Sequence, residues 1–219
     1  MIGGKRANPI GNAGHGHGAI SPVSLACEQE AGGIFSTQLY DVAECAAILR
    51  EVKSARSWHS ARVSLADGDS NGVVVPTARS ALILNSKRRQ RLYFDFEDRV
   101  RTIVVPLIVR RWGVKLCGCD GTQLIRYKAG GLYVPHKDSS EDPSEVAFAS
   151  RYFTVLCYLN SNFEGGRTSF PGLHYTATPA PGRTLVFPSQ YVHSAVPVSQ
   201  GEKFVLLTWL CGPIPLRWI

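Results

Sequence analysis

The stretch TQLIRYKAGGLYVPHKD, residues 122–138, sets two short β-rich runs on either side of the turn Ala129-Gly130-Gly131. Upstream of it, apolar residues recur at three- and four-residue intervals; from residue 122 onward that period is gone. Further short runs follow at 151–159, 168–170, 184–187, 192–198 and 203–210, parted by Gly165-Gly166, Pro171-Gly172, Pro181-Gly182 and Gln200-Gly201. Closely spaced strands without intervening helices argue against a doubly wound parallel sheet. The fold class predicted is mainly β with supporting N-terminal helices, the β part an antiparallel barrel or jelly roll.

The lead-in carries two helical patterns. Residues 41–54, DVAECAAILREVKS, put Val42, Cys45, Leu49 and Val52 on one stripe, with Asp41 where an N-cap belongs. A second helix is expected over 97–112, burying Val100, Ile103, Val104, Leu107 and Ile108 and ended by Gly113. Pro106 lies inside it and should kink it, because an interior proline removes a hydrogen bond. Residues 60–77, rich in Gly, Asp, Ser and Asn, read as a loop or hairpin. The first twenty residues are dominated by Gly, Asn and Pro, so residues 1–33 are expected to be a flexible tail. His15 and His17 within it lack further ligands and reflect tail composition. One domain is expected over 34–219, with helical support at about 34–115 and a β core at about 120–212.

Composition narrows the function classes. The chain has 219 residues, 44% hydrophobic and 19% charged, enough to bury a core and unlike a disordered chain. Its net charge of +7 is concentrated between Arg79 and Lys115, where ten basic residues face three acidic ones. Such a cluster reads first as a solvated helix face and second as a surface for nucleic acid or another anionic partner. No apolar run is long enough to span a membrane, and the start lacks the apolar core of a signal peptide. The expected location is therefore cytoplasmic, with nuclear as the alternative. Six cysteines, Cys27, Cys45, Cys117, Cys119, Cys157 and Cys211, then read as reduced thiols. Cys117 and Cys119 have no second pair with which to hold zinc.

The chemistry sits in the β half. His136 and Asp138 are two residues apart on an extended chain, so their side chains share a face. His193, in a later predicted strand, is a third candidate, and two imidazoles with one carboxylate leave positions open on Fe(II). Each histidine alone would more often be structural. Lys203 shifts that balance, because a cation facing inward near the metal could hold the far end of a chelating dicarboxylate.

These residues bring a family into view. The region 127–209 resembles the catalytic core of the Fe(II)- and 2-oxoglutarate-dependent dioxygenases, prolyl 4-hydroxylase-like branch. The matching runs are YKAGGLYVPHKD at 127–138, RYFTVLCYLN at 151–160, GGRTSFP at 165–171, PGRTLVF at 181–187, His193, and GEKFVLLTW at 201–209. The resemblance implies a double-stranded β-helix (jelly-roll, cupin-like), with His136, Asp138 and His193 as catalytic metal ligands. It places Lys203 against the distal carboxylate of 2-oxoglutarate, with Tyr127 and Thr168 bonding the co-substrate and Tyr158 close to it. Tyr133, Arg151 and Trp209 match substrate-groove positions, although each could simply be a packing or strand-edge residue.

The reaction implied is hydroxylation of an aliphatic carbon, with 2-oxoglutarate and O2 converted to succinate and CO2. The expected cofactors are Fe(II) and 2-oxoglutarate, with O2 consumed and ascorbate in a supportive role. A prolyl or related residue in a peptide or protein is the first substrate reading; hydroxylation or desaturation of a free amino acid or small metabolite is the second. An inactive jelly-roll binding protein is a third reading. A nucleic-acid module is a fourth, for which Tyr93, Phe94 and Phe96 beside Arg88–Arg91 would supply stacking surfaces. Oligomeric state is left open.

Overall fold

The computed structural model describes residues 27–63, 72–84, 90–142 and 145–213. His15, His17, most of the expected tail and the basic residues Lys87, Arg88 and Arg89 lie outside them. In chain order the elements begin β1 (Glu28–Gln29), β2 (Phe35–Gln38), α1 (Val42–Lys53), β3 (Trp58–Ser60), β4 (Arg79–Ser80) and β5 (Leu82–Leu84). A helical run follows: α2 (Gln90–Arg99), the π-helical segment Val100–Val104 and α3 (Val105–Trp112). The β half opens with β6 (Gly118–Tyr127) and β7 (Leu132–His136), a short α4 (Val146–Ala149), and β8 (Arg151–Tyr158). It closes with β9 (Phe163–Gly165), β10 (Thr168–Phe170), β11 (Tyr175–Ala177), β12 (Arg183–Pro188), β13 (His193–Ala195), β14 (Val198–Gly201) and β15 (Lys203–Cys211).

Two antiparallel sheets result. The larger runs β1-β2-β12-β8-β15-β6-β5-β3 and the smaller β11-β10-β13-β7-β4, with β9 and β14 paired beside them. The jelly roll expected from the short strands is present. β15 shows how the period-2 pattern builds it, since every residue but its last is buried. Phe204, Leu206 and Leu210 face the helices, while Val205, Leu207 and Trp209 face the space between the sheets. β8 alternates likewise, with Phe153, Val155 and Cys157 on the helix side and Leu156 and Tyr158 between the sheets. Burying a Leu or Phe side chain stabilises by roughly 1.5–3 kcal/mol, so the two-sided burial of these central strands anchors both cores.

The helical layer departs from expectation in instructive ways. Asp41 does cap α1: its carboxylate accepts the Glu44 N–H at 2.7 Å while Glu44 accepts the Asp41 N–H at 2.8 Å. Glu44 also takes an ion pair from Arg99 at 2.6 Å, tying α1 to α2. Val42, however, is 66% exposed, because the first helical residue turns outward beyond the sheet. Cys45, Ile48, Leu49 and Val52 make the packed stripe instead. The second helix starts at Gln90 rather than 97, and its anticipated kink takes the form of the π-helical segment immediately before Pro106. A widened turn places the proline near the start of α3, where its missing N–H costs little. Gly113, at φ 64°, closes α3 by donating its N–H to the Val109 carbonyl at 2.9 Å.

The segment expected to give helical support, 34–115, also supplies strands β2 to β5. Residues 27–33, expected within the tail, include β1, which pairs with β2. Glu30 clamps that edge by accepting from Ser36, Tyr175 and Arg183. Residues Val63 and Val73 bridge antiparallel, consistent with the hairpin reading of 60–77. The basic cluster proves heterogeneous. Arg91, Arg101, Arg110, Arg111 and Lys115 are exposed, whereas Arg79 is buried in β4. Tyr93 and Phe96 are core residues, so the interleaved aromatics do not form an exposed β platform among the described residues. All six cysteines are free thiols. No described helix is long and apolar enough to cross a membrane.

Candidate active site

β7 and β13 are paired so that His136 and His193 stand directly opposite one another. Just past β7, the Asp138 N–H donates to the Ser189 carbonyl at 2.9 Å, which turns its carboxylate back toward both rings. Asp138 Oδ1 lies 3.6 Å from His136 Nε2, and Oδ2 lies 3.5 Å from His193 Nε2. Among the described residues this is the group of three whose ligand atoms all lie within 4.8 Å of one another. His136 Nδ1 is 2.8 Å from the Val134 carbonyl and His193 Nδ1 is 3.0 Å from the Tyr191 carbonyl. Each carbonyl accepts the Nδ1–H, which leaves the Nε2 lone pair facing Asp138.

Burial alone would raise the Asp138 pKa, but His193, His136 and the Thr154 hydroxyl together hold it well below the usual carboxylate range. Burial pushes His193 down to about 4 against the attraction of Asp138. An ionised carboxylate beside a neutral imidazole is the state a divalent metal takes up without displacing protons. Two imidazole nitrogens and one carboxylate oxygen suit iron better than a thiolate-preferring ion.

A cavity of about 470 Å³ opens over the triad. Deep within it Lys203, 1% exposed, donates to the Gly166 carbonyl at 2.7 Å and lies over the rings of Tyr127 and Tyr158. Gly166 has φ 59°, and a Cβ there would come within 2.9 Å of Phe163 and Val198, so the Gly165-Gly166 turn is what brings that carbonyl to the ammonium. No carboxylate pairs with Lys203 among the described residues, and burial pushes its pKa down to about 7. An anionic ligand would relieve that isolated charge.

The other anticipated residues gather around the same space. His136, Asp138, His193, Lys203, Tyr127, Thr168, Tyr133, Arg151 and Trp209 all line the cavity. Tyr158 stands behind it, its hydroxyl donated at 2.6 Å to Oγ1 of the cavity-lining Thr168. Tyr133 stacks on His136 with centroids 3.4 Å apart. Arg151 is held between the rings of Phe148 and Trp209 and paired with Asp120 at 2.7 Å, which fixes it as part of the cavity wall.

Two further residues, Thr154 and Arg79, shape the site. Thr154 donates to Asp138 Oδ2 at 2.7 Å and contacts the Ser189 hydroxyl at 3.0 Å. Its inward place on β8, between the helix-facing Phe153 and Val155, was the available signal. Arg79, counted with a helical basic face, instead projects from β4 over the Tyr133 ring at 4.7 Å. No local pattern marks a two-residue edge strand.

Comparison with known proteins agrees with this geometry. The sequence model of the 2OG-Fe(II) oxygenase superfamily matches residues 122–211. A protein of Acanthamoeba polyphaga mimivirus named as a prolyl 4-hydroxylase is 28% identical over 141 residues, 57% of this chain and 58% of that protein. Prolyl 4-hydroxylase subunit alpha-1 of Gallus gallus is 30% identical over 112 residues, 45% of this chain and 22% of the subunit. The chain thus spans little more than half of the viral relative and under a quarter of the avian one. Among solved structures, a Trichoplax adhaerens prolyl hydroxylase in complex with a hypoxia inducible factor peptide fragment superposes with TM-score 0.64 and 18% identity. That match covers 82% of this chain and 84% of the other. A collagen prolyl hydroxylase of Paramecium Bursaria Chlorella virus-1 superposes with TM-score 0.60 and 17% identity, covering 83% and 97%. The shared fold is the jelly roll.

Proposed function

We propose, for a chain whose residues 122–211 belong to the 2OG-Fe(II) oxygenase superfamily and resemble prolyl 4-hydroxylases, that it hydroxylates a prolyl or related residue in a peptide or protein. One C–H of the substrate becomes C–OH, one oxygen atom of O2 entering there and the other entering the succinate formed from 2-oxoglutarate with loss of CO2. The observation that carries the reading is the pairing, in one cavity, of a His/Asp/His triad, with Asp138 and His193 buried, and a buried lysine that no acid pairs with among the described residues. We take residues 34–219 as the domain that performs the reaction.

In this reading His136, Asp138 and His193 hold Fe(II), which when bound supplies coordination of 2-oxoglutarate and O2 and the oxidising chemistry. The protein's own residues set the positions. Lys203 neutralises the distal carboxylate of 2-oxoglutarate, with Tyr127 and Thr168 donating hydrogen bonds beside it. Thr168 is oriented by Tyr158, whose hydroxyl it accepts. Leu156, Val205 and Leu207 line the cavity with apolar surface and limit the water that can enter. Tyr133, Arg151 and Trp209 form the wall along which a substrate chain passes. Ascorbate would sustain turnover by keeping the metal reduced.

The relatives and the solved complex favour a peptide over a free amino acid. That part of the reading is tested by substrate-stimulated succinate formation across proline peptides, free proline and other amino acids. Stimulation by proline peptides with none by the free amino acids is expected. Stimulation by free amino acids alone would transfer the function to small-molecule hydroxylation or desaturation.

A further inference from the structure

The large sheet carries a second hollow, on the face turned away from the metal cavity. It has a volume of about 530 Å³ and lies where the start of β6 and the end of β15 meet the helical run of α2 and α3. Phe94, Val105, Leu116 and Leu210 give it an apolar lining, and the thiols of Cys117 and Cys119 stand beside them. Phe94 is 64% exposed and both thiols are exposed, so an apolar patch opens to solvent here. At the rim Asp98 is paired with Arg101 at 2.5 Å, whereas Glu97 accepts the Thr122 hydroxyl at 2.5 Å and is in no ion pair among the described residues.

The chain itself supplies a matching segment. β15 ends at Cys211, whose carbonyl accepts the N–H of the groove residue Cys117 at 2.8 Å. Gly212 then donates to the Ser150 carbonyl at 2.9 Å, and the Tyr152 hydroxyl donates to the Pro213 carbonyl at 2.5 Å. Tyr152 packs on the same core as Val105 and Leu116, so the chain is held on the helix-facing side of the sheet as it reaches Pro213. The next six residues, 214–219, read IPLRWI, four large apolar side chains with one cation. Pro215 biases Ile214 toward extended backbone, in which Ile214, Leu216 and Trp218 share one face and Arg217 stands between the last two. Six extended residues reach roughly 20 Å, ample for a groove whose wall includes Leu210, only just upstream of Pro213.

We propose that this groove is the docking site of the chain's own segment 214–219, with Leu216 and Trp218 seated on Phe94, Val105, Leu116 and Leu210 and Arg217 paired with Glu97. The apolar anchors answer the exposed lining and the cation answers the acid. Docking covers both thiols and closes the open end of the β6–β15 ladder. It goes beyond the oxygenase reading and does not depend on it, because the groove and the metal cavity lie on opposite faces of the large sheet.

The test measures, in the full chain, the rate at which an aromatic disulfide reagent labels Cys117 and Cys119, resolved by peptide mass mapping, with Cys27, which does not line the groove, as the reference thiol. Both groove thiols should react about tenfold or more slower in the wild type than in the double variant Leu216→Ser, Trp218→Ser, since each apolar anchor lost to water weakens docking by at least that factor. Cys27 should react equally in both. Phe94→Ser, which alters the groove instead of the segment, should give the same acceleration. Arg217→Glu should speed labelling a few-fold, and adding Glu97→Lys should restore protection. The fluorescence of Trp218, taken as the difference between wild type and Trp218→Phe, should be blue-shifted and shielded from acrylamide. Wild-type labelling as fast as that of the segment variant overturns the inference, as does a Trp218 emission like that of free tryptophan. Protection that falls on dilution also overturns it and assigns the groove to a second copy of the chain.

Discussion

The hydroxyl of Thr154 is donated to Asp138 Oδ2 at 2.7 Å, from a side chain that is itself fully buried. Ser189 accepts the Asp138 N–H through its carbonyl and touches the Thr154 hydroxyl, so one carboxylate is gripped at its backbone and at one oxygen. Hydrogen bonds of this kind to a charged group contribute about 1.5–3 kcal/mol, and loss of a partner that orients a metal ligand weakens metal binding by roughly 10–100-fold. Thr154→Val, which keeps the shape and removes the hydroxyl, should raise the Mn(II) dissociation constant within that range, and Thr154→Ser should restore most of it. An unchanged constant in Thr154→Val would show that the bond is incidental.

Lys203 should make the ligand-free protein sensitive to pH. Its folded pKa of about 7 lies below the ordinary value of 10.5, so between those limits the unfolded chain holds a proton that the folded chain has released. Stability therefore rises with pH across that window, and the penalty of the buried charge is complete below about pH 7. Denaturant titrations of wild type and Lys203→Met should diverge most at pH 6, with the variant more stable by a few kcal/mol, and converge toward pH 10. A constant difference across the range would contradict the assignment.

The same titration governs co-substrate binding. If the ammonium form receives the 2-oxoglutarate carboxylate, affinity for 2-oxoglutarate on the Mn(II)-loaded protein should weaken up to about tenfold per pH unit above 7. Lys203→Met should bind it far more weakly and show no such slope. Calorimetry in buffers of different ionisation enthalpy would report the accompanying proton uptake.

Gly166→Ala tests the turn that aims the Lys203 partner. The substitution forces a side chain into φ 59° and within 2.9 Å of Phe163 and Val198. A left-handed conformation costs a non-glycine residue about 1–2 kcal/mol before any clash. The expected result is lower stability together with weaker 2-oxoglutarate binding, while Gly172→Ala, where a Cβ meets nothing, changes neither.

Much of this site was legible because its residues lie on strands long enough to show a period. β15 alternates over nine residues, which marks Lys203 and Trp209 as sharing an inward face, and β7 carries His136 within a quotable motif. Thr154 shared that signal, but a threonine among apolar neighbours reads as ordinary β-branched filling. For Arg79 it was the direction of the side chain that could not be read. Its strand has two residues, and only its pairing with Tyr133 across β7 reveals which way it points. β2 was missed because its four residues, three buried and the last exposed, carry no alternation. Pro106 announced an irregular helix without specifying that a π turn would absorb it.

We propose that His136, Asp138 and His193 form an iron site serving 2-oxoglutarate turnover. It is tested most directly by measuring Fe(II)-dependent succinate formation from 2-oxoglutarate in the wild type, His136→Ala and Asp138→Ala. Succinate formation should require Fe(II) in the wild type and fall to background in both variants. Turnover in either variant equal to that of the wild type would contradict it.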